Sequence, residues 1–318
     1  MVDTIALVSG YHVSVIVSIE LFAGKHFSIN LPSIFKAIKV GKIFCVMLSA
    51  GNLQSSNRHF SNVVKISDHL GFHRRPSNDE ELGYFLAGLI EGDGSFSDKR
   101  LEIIFHEKDY SLANNIVKKI GFGMIYKVRN KKAYKLVIRK KEGLKRVIEL
   151  CNGKFVAPFK INQLHNRQYE KWLNLKILPL NPKGVDLKTH WLSGFLDADG
   201  NIGIFIANSS THKLGKSVRL EIKISQKNLF LLEKIKEVFG GSISLLKNQD
   251  IYKFNITGNV KIRKMINYLD LYHLQSKKYL QFFILRKCFR LMEKKEHLTL
   301  EGLKKVYAFK ERLQNVYK

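Results

Sequence analysis

The chain has 318 residues, 45% of them hydrophobic, enough to bury one large core or two modest ones. Its 54 Lys and Arg stand against 27 Asp and Glu, and the net charge of +27 points to a polyanionic partner, most simply nucleic acid. Cys45, Cys151 and Cys288 are odd in number and far apart, which indicates neither a disulfide framework nor a zinc knuckle and leaves a reducing compartment as the default.

The N-terminal stretch from Met1 to Ala23 is apolar, but Asp3, His12 and Glu20 interrupt it and no basic residue precedes it. That is a poor secretory signal and a poor transit peptide. Lys36, Lys39 and Lys42 break the next apolar run, so no segment has the length and continuity of a membrane span, and no membrane partner is expected. Residues 1–77 read as a poorly specified extension.

A first module, residues 78–177, opens where Ser77 or Asn78 can cap a helix, with Glu80 or Glu81 completing a capping box before the apolar run Leu82 to Ile90. The helix ends in Leu86-Ala87-Gly88-Leu89-Ile90-Glu91-Gly92-Asp93-Gly94. Leu101, Ile103 and Phe105 then alternate with Arg100, Glu102 and Ile104 as in a strand. An amphipathic helix follows from Asp109 to Ile120 and stops at Gly121. In the next hairpin Tyr126, Val128, Tyr134, Leu136 and Ile138 take one parity and Lys127, Arg129, Lys135 and Arg139 the other, and a helix from Glu142 to Leu150 closes the module.

The second module, residues 178–318, begins with a linker carrying Pro179 and Pro182 and repeats this order. Its helix ends in Leu192-Ser193-Gly194-Phe195-Leu196-Asp197-Ala198-Asp199-Gly200. Ile104–Gly121 aligns with Ile224–Gly240, and Tyr134–Ile138 with Tyr252–Ile256. Val218, Leu220, Ile222 and Ile224 alternate with Arg219, Glu221, Lys223 and Ser225. The expected fold is α+β: two pseudo-symmetric αββαββα modules whose antiparallel sheets each have one buried and one polar, cationic face. The bland reading of the polar face is ordinary solvation. Its recurrence in both halves favours a DNA-binding saddle lying in the major groove, with Arg100, Lys127, Arg129, Arg139, Arg219, Glu221, Lys223, Ser225 and Asn255 as candidate contacts.

Small residues four apart, Gly88 and Gly92 in one copy and Gly194 and Ala198 in the other, share a helix face and let two backbones approach closely. The glycine after each second acid suits a left-handed helix end. If the two helices pack together, Asp93 and Asp199 meet at their C-termini, where the dipoles are already negative. A hard divalent cation such as Mg²⁺ resolves that repulsion.

These two stretches resemble the signature motifs of the LAGLIDADG homing endonucleases, in the single-chain form that carries both. The segments Leu274–Tyr279 and His297–Lys305 are similar to the closing segments of organellar members, and the likeness covers Glu81 to Gln314. It implies that Asp93 and Asp199 are catalytic metal ligands, with the backbone carbonyls of Gly92 and Ala198 contributing. For Glu91 and Asp197 it leaves structural capping, a charge pair and catalysis open. It implies a strand lysine at the site's water network, for which Lys253 and Lys135 are the positional candidates, phosphate contact being their other reading. The implied activity is a Mg²⁺-dependent double-strand break with 3′ overhangs at a long asymmetric DNA target, made by a monomer encoded in a mitochondrion or plastid. An intron RNA maturase and a transcription factor are the alternatives, and neither needs the second acid of each motif.

Overall fold

The computed structural model describes residues 2–9, 12–21, 25–30, 66–67, 69, 71–246 and 249–318. The chain divides into two compact units, Met1–Lys65 and Ile66–Lys318. In the first, β1 (Val2–Ser9), β2 (His12–Leu21) and β3 (Lys25–Asn30) form an antiparallel sheet in that order. Cys45 and the lysines at 36, 39 and 42 lie outside the described residues.

The second unit starts at Ile66, so residues 66–77, assigned above to the extension, belong with the modules. Ile66 is buried, His73 Nε2 meets the Leu274 carbonyl at 2.8 Å, and the Arg74 amide donates to His273 Nδ1 at 2.8 Å.

Helix α1 (Asp79–Asp93) starts as its sequence requires: Asn78 Oδ1 accepts from the Glu81 amide at 2.9 Å, while Glu81 accepts from the Ser77 amide and hydroxyl. β4 (Gly94–Ser97), β5 (Arg100–His106), α2 (Tyr110–Ile120), β6 (Met124–Lys127), β7 (Ala133–Ile138) and α3 (Lys141–Cys151) complete the first module. Two shorter helices, α4 (Pro158–Asn166) and α5 (Tyr169–Leu173), fall outside the expected repeat. The second module runs α6 (Trp191–Asp199), β8 (Gly200–Asn208), β9 (Lys216–Gln226), α7 (Leu229–Phe239), β10 (Ser242–Leu246), β11 (Ile251–Thr257) and α8 (Asn259–Leu269). Helices α9 (Lys278–Glu293) and α10 (Leu300–Asn315) then pack along β8.

Each module carries a four-stranded antiparallel sheet, ordered β4-β5-β7-β6 and β8-β9-β11-β10. The same order in both is the pseudo-symmetry. Leu101, Ile103, Leu136 and Ile138 line the buried face of the first, and Leu220, Ile222, Ile224, Phe254 and Ile256 that of the second.

Three details differ from the sequence reading. Gly94 (φ −84°) and Gly200 (φ −69°) are extended rather than left-handed, because each helix runs directly into a strand. They must be glycine for space: a β-carbon at Gly94 would come within 2.7 Å of Ile90 Cα, and one at Gly200 within 2.6 Å of the Leu196 oxygen. In β6 the parity is reversed. Tyr126 pairs with Lys135 and Lys127 with Tyr134, so Tyr126 shares the polar face while Lys127 leaves it for an ion pair with Glu107 at 2.7 Å. The turn at 128–132, with Asn130 left-handed, resets the register, and one residue of slip exchanges the two faces. The repeat also shifts by one in the second strand, since Gly94 pairs with Ile103 as Gly200 pairs with Ile224.

Candidate metal and nucleic-acid site

The site is built where α1 and α6 cross at their C-terminal ends. A β-carbon on Gly88 would overlap the Trp191 carbonyl oxygen, and one on Gly194 the Phe85 carbonyl oxygen, so each glycine admits the other helix's backbone. At the last turn Gly92 faces Ala198 and the Asp199 carboxylate. Asp93 and Asp199 thus end neighbouring helices. Burial raises both carboxyl groups, and the charge of Asp93 adds to the shift at Asp199, which reaches about 7.

The surroundings moderate this repulsion unequally. Gln226, the last residue of β9, donates its side-chain amide to Asp199 Oδ2. No hydrogen-bond donor among the described residues is recorded for Asp93. Lys278 opens α9 and donates Nζ to the carbonyls of Leu196 (3.2 Å), Asp197 (2.8 Å) and Ala198 (2.6 Å), capping α6 with a cation. Lys160 on α4 is buried, donates to the Gly94 carbonyl, and is pulled down to about 8 by burial against the pull of Glu91, Asp199 and Asp93. These two lysines, missed in the sequence, act on the carboxylate pair. Each lies just past the chain that caps a motif acid, which is the signal that relates them.

The first acids take the capping alternative. Glu91 is buried and accepts from the amides of Val156 (3.0 Å) and Ala157 (2.6 Å) and from Trp191 Nε1 (2.6 Å), with burial lifting it to about 7. Asp197 accepts from the amides of Gln275 (2.7 Å) and Ser276 (3.1 Å) and the Ser276 hydroxyl (2.6 Å), and burial lifts it to about 6. Each motif therefore ties its own helix to the segment that follows its module.

Lys135 and Lys253 occupy equivalent central positions on the polar faces. Lys135 is paired with Glu102 at 3.2 Å, and Lys253 is exposed opposite Ser225 and Ser244. Neither contributes to the shifts of Asp93 and Asp199. Arg100 and Arg139 stand on the same side of the first sheet, and Arg129 is exposed in the turn after β6. Arg219, Glu221, Lys223, Ser225 and Asn255 share one face of the second sheet. Glu221 is not available there: it is 2% exposed and paired with Lys223, with Arg219 at 4.0 Å. Strand parity predicts its side but not its cover by longer cations.

The oxygen donors fit a hard divalent cation, two coupled carboxylates with a nearby carbonyl at Gly92. The Ala198 carbonyl already accepts from Lys278, which leaves one lone pair there. Among the described residues no group of three or more His, Cys, Asp and Glu is placed to hold a metal. Cys151 and Cys288 are buried free thiols. Among the described residues no helix is long and apolar enough to cross a membrane.

The sequence family described as LAGLIDADG endonuclease matches residues 192–289. The uncharacterized cox1 intron-2 37.2 kDa protein of Schizosaccharomyces pombe is 39% identical over 270 residues, covering 81% of this chain and 82% of that protein. Probable intron-encoded endonuclease 4 of Neurospora crassa is 31% identical over 280 residues, and the chain covers 49% of its length. Among solved structures, the I-LtrWI LAGLIDADG homing endonuclease bound to target DNA superposes with a TM-score of 0.60 at 22% identity, covering 74% of this chain and 98% of that one.

Proposed function

The chain belongs to the LAGLIDADG endonuclease family, and on that premise we propose that it is a monomeric, site-specific endonuclease making a Mg²⁺-dependent double-strand break, with 3′ overhangs, at a long asymmetric DNA target. The observation that carries this reading is the pair Asp93 and Asp199 at the ends of two crossed helices, flanked by two polar sheet faces of the same order. A maturase or a transcription factor would need the faces and not the pair.

Asp93 and Asp199, with the Gly92 carbonyl and the free lone pair of Ala198, would hold the metal. When bound, Mg²⁺ lowers the pKa of a coordinated water and offsets charge on the scissile phosphate. Gln226 donates to Asp199 Oδ2 and so fixes the direction in which the other carboxylate oxygen points. Lys278 and Lys160 hold positive charge beside both acids, which opposes the burial that raises them and offsets part of the negative potential that would repel a phosphate. Arg100, Arg139, Arg219 and Lys223 supply phosphate and base contacts along the faces, with Lys135 and Lys253 at their centres. A mitochondrial, organelle-encoded origin goes with this reading, supported by the relative named for a cox1 intron.

The test is cleavage of a candidate intron-insertion-site duplex by purified protein in Mg²⁺ and in Ca²⁺, beside the double variant Asp93→Asn/Asp199→Asn. Cutting in Mg²⁺ that the variant loses while still binding the duplex is the expected result. Binding of DNA or RNA with no metal-dependent cutting would move the assignment to a maturase or a pure binder.

A further inference from the structure

Strand pairing puts the polar faces of the two sheets into residue-by-residue correspondence. Gly94 pairs with Ile103 and Gly200 with Ile224, so Ile104 corresponds to Ser225. Ile103 pairs with Leu136 and Ile224 with Phe254, so Val137 corresponds to Asn255 and Lys135 to Lys253. Met124 pairs with Val137 and Ser242 with Asn255, so Met124 corresponds to Ser242 and Tyr126 to Ser244.

Around a shared central lysine, four positions thus read Ile104, Met124, Tyr126 and Val137 in the first module and Ser225, Ser242, Ser244 and Asn255 in the second. The apolar set is not core. Ile104 is 42%, Met124 63% and Tyr126 43% exposed, while buried Val137 forms a floor between them. Met124, Tyr126 and Val137 line a cleft of about 290 Å³ whose rim carries Arg139 and Lys140. In the second module all three serines are exposed, while Asn255 is half-buried and its buried Oδ1 accepts no hydrogen bond among the described residues.

The occupant follows from charge and from groove chemistry. Arg100, Lys135, Arg139 and Lys140 stand about the apolar cluster against one acid, Glu102, which pairs with Arg100 and Lys135, so the face keeps a net positive charge and its partner is anionic. In the major groove the only apolar group that distinguishes a base pair is the thymine C5 methyl, whereas hydroxyls and amides read donors and acceptors. Resting on the endonuclease reading above, we propose that the two halves of the DNA target are recognised by different chemistry. The first module reads thymine methyl groups through Met124, Tyr126 and Ile104 over the Val137 floor. The second reads hydrogen-bonding base edges through Ser225, Ser242, Ser244 and Asn255. These are specificity-determining residues, and the asymmetry of the target is built into them.

The experiment starts from duplexes that the full chain enriches out of a randomised library in Ca²⁺. Deoxyuridine then replaces thymidine in one half of the selected duplex or the other, which removes only methyl groups. Replacement in one half weakens binding about fourfold per methyl contacted, and in the other half less than about twofold. The double variant Met124→Ser/Tyr126→Ser, at exposed positions that leave folding intact, abolishes that penalty, whereas Ser242→Ala/Ser244→Ala leaves it in place and relaxes base preference in the opposite half. Enrichment of a duplex with equal or no deoxyuridine penalty in its two halves, or a penalty untouched by the Met124/Tyr126 variant, overturns the proposal and leaves the endonuclease reading standing. Enrichment of no duplex at all overturns both.

Discussion

Asp199 is held at a cost that its neighbours only partly relieve. Its carboxyl is raised to about 7 by burial and by the charge of Asp93, against an ordinary value of 3.8. A raised acid binds its proton more tightly folded than unfolded, so ionisation penalises the fold above pH 7, and the penalty fades as pH falls through 7 toward 3.8. In metal-free protein, Asp199→Asn therefore raises stability at pH 8, by on the order of 2 kcal/mol, and changes it little at pH 4. Thermal melts in EDTA at both pH values check this, and an equal gain at both would refute it. Lys278 works in the opposite sense. Lys278→Met leaves the last carbonyls of α6 without their cation and the buried Asp197 without its nearest compensating charge, at a cost of about 3 kcal/mol read from urea unfolding at pH 8. The second acids were legible in the sequence because a repeated acid-small-acid-Gly ending is a local pattern. Lys160 and Lys278 were not, because each arrives on a helix that follows the repeated order of elements, and only tertiary folding brings its ammonium to a motif helix end.

The crossed helices show which small residues are structural and which aim the chemistry. The β-carbon of Gly194→Ala would strike the Phe85 carbonyl, which is backbone and cannot move without parting the helices, so this variant loses about 3 kcal/mol or more in urea unfolding. Gly92→Ala meets a different obstacle, the Ala198 methyl and the Asp199 carboxylate. The carboxylate can rotate away, but the Ala198 methyl is fixed to α6, so the two helix ends must part locally. The expected outcome is a folded protein with Mg²⁺-dependent cleavage reduced about a hundredfold, since a displacement near 1 Å at a reacting group has that consequence. Comparable loss of stability in both variants would remove the distinction. At the same scale, sheet periodicity was readable within each strand but not across a turn. Five residues between Lys127 and Ala133 decide whether Lys127 or Tyr126 joins Lys135 on the polar face, and hairpin register depends on turn geometry that composition leaves open.

For the whole molecule, the question is how much of the N-terminal chain the nuclease body needs. A sequence with no regular pattern before Ser77 suggests that everything upstream is separable, yet the compact unit begins at Ile66. Residues 66–77 are held by scattered contacts rather than by a periodic face, which is why no pattern announces them. The Gln275 side chain donates to the Arg74 carbonyl at 2.8 Å, Lys119 donates to the Pro76 carbonyl at 2.8 Å, and His73 and Arg74 bond to Leu274 and His273. Three of these four bonds converge on residues 273–275, whose next step is the Gln275 amide on Asp197 and then Lys278 on α6. Residues 73–74 therefore steady one of the two segments that fix the motif helix ends. A chain starting at Ile66 keeps its melting temperature and its Mg²⁺-dependent cleavage. One starting at Asn78 loses four such bonds at about 1 kcal/mol each, and melts well below it. If both truncations melt together, residues 66–77 contribute nothing to the fold, and the segment through 273–275 is held by Asp197, by the His273 bond to the Asp270 carbonyl and by the burial of Leu274.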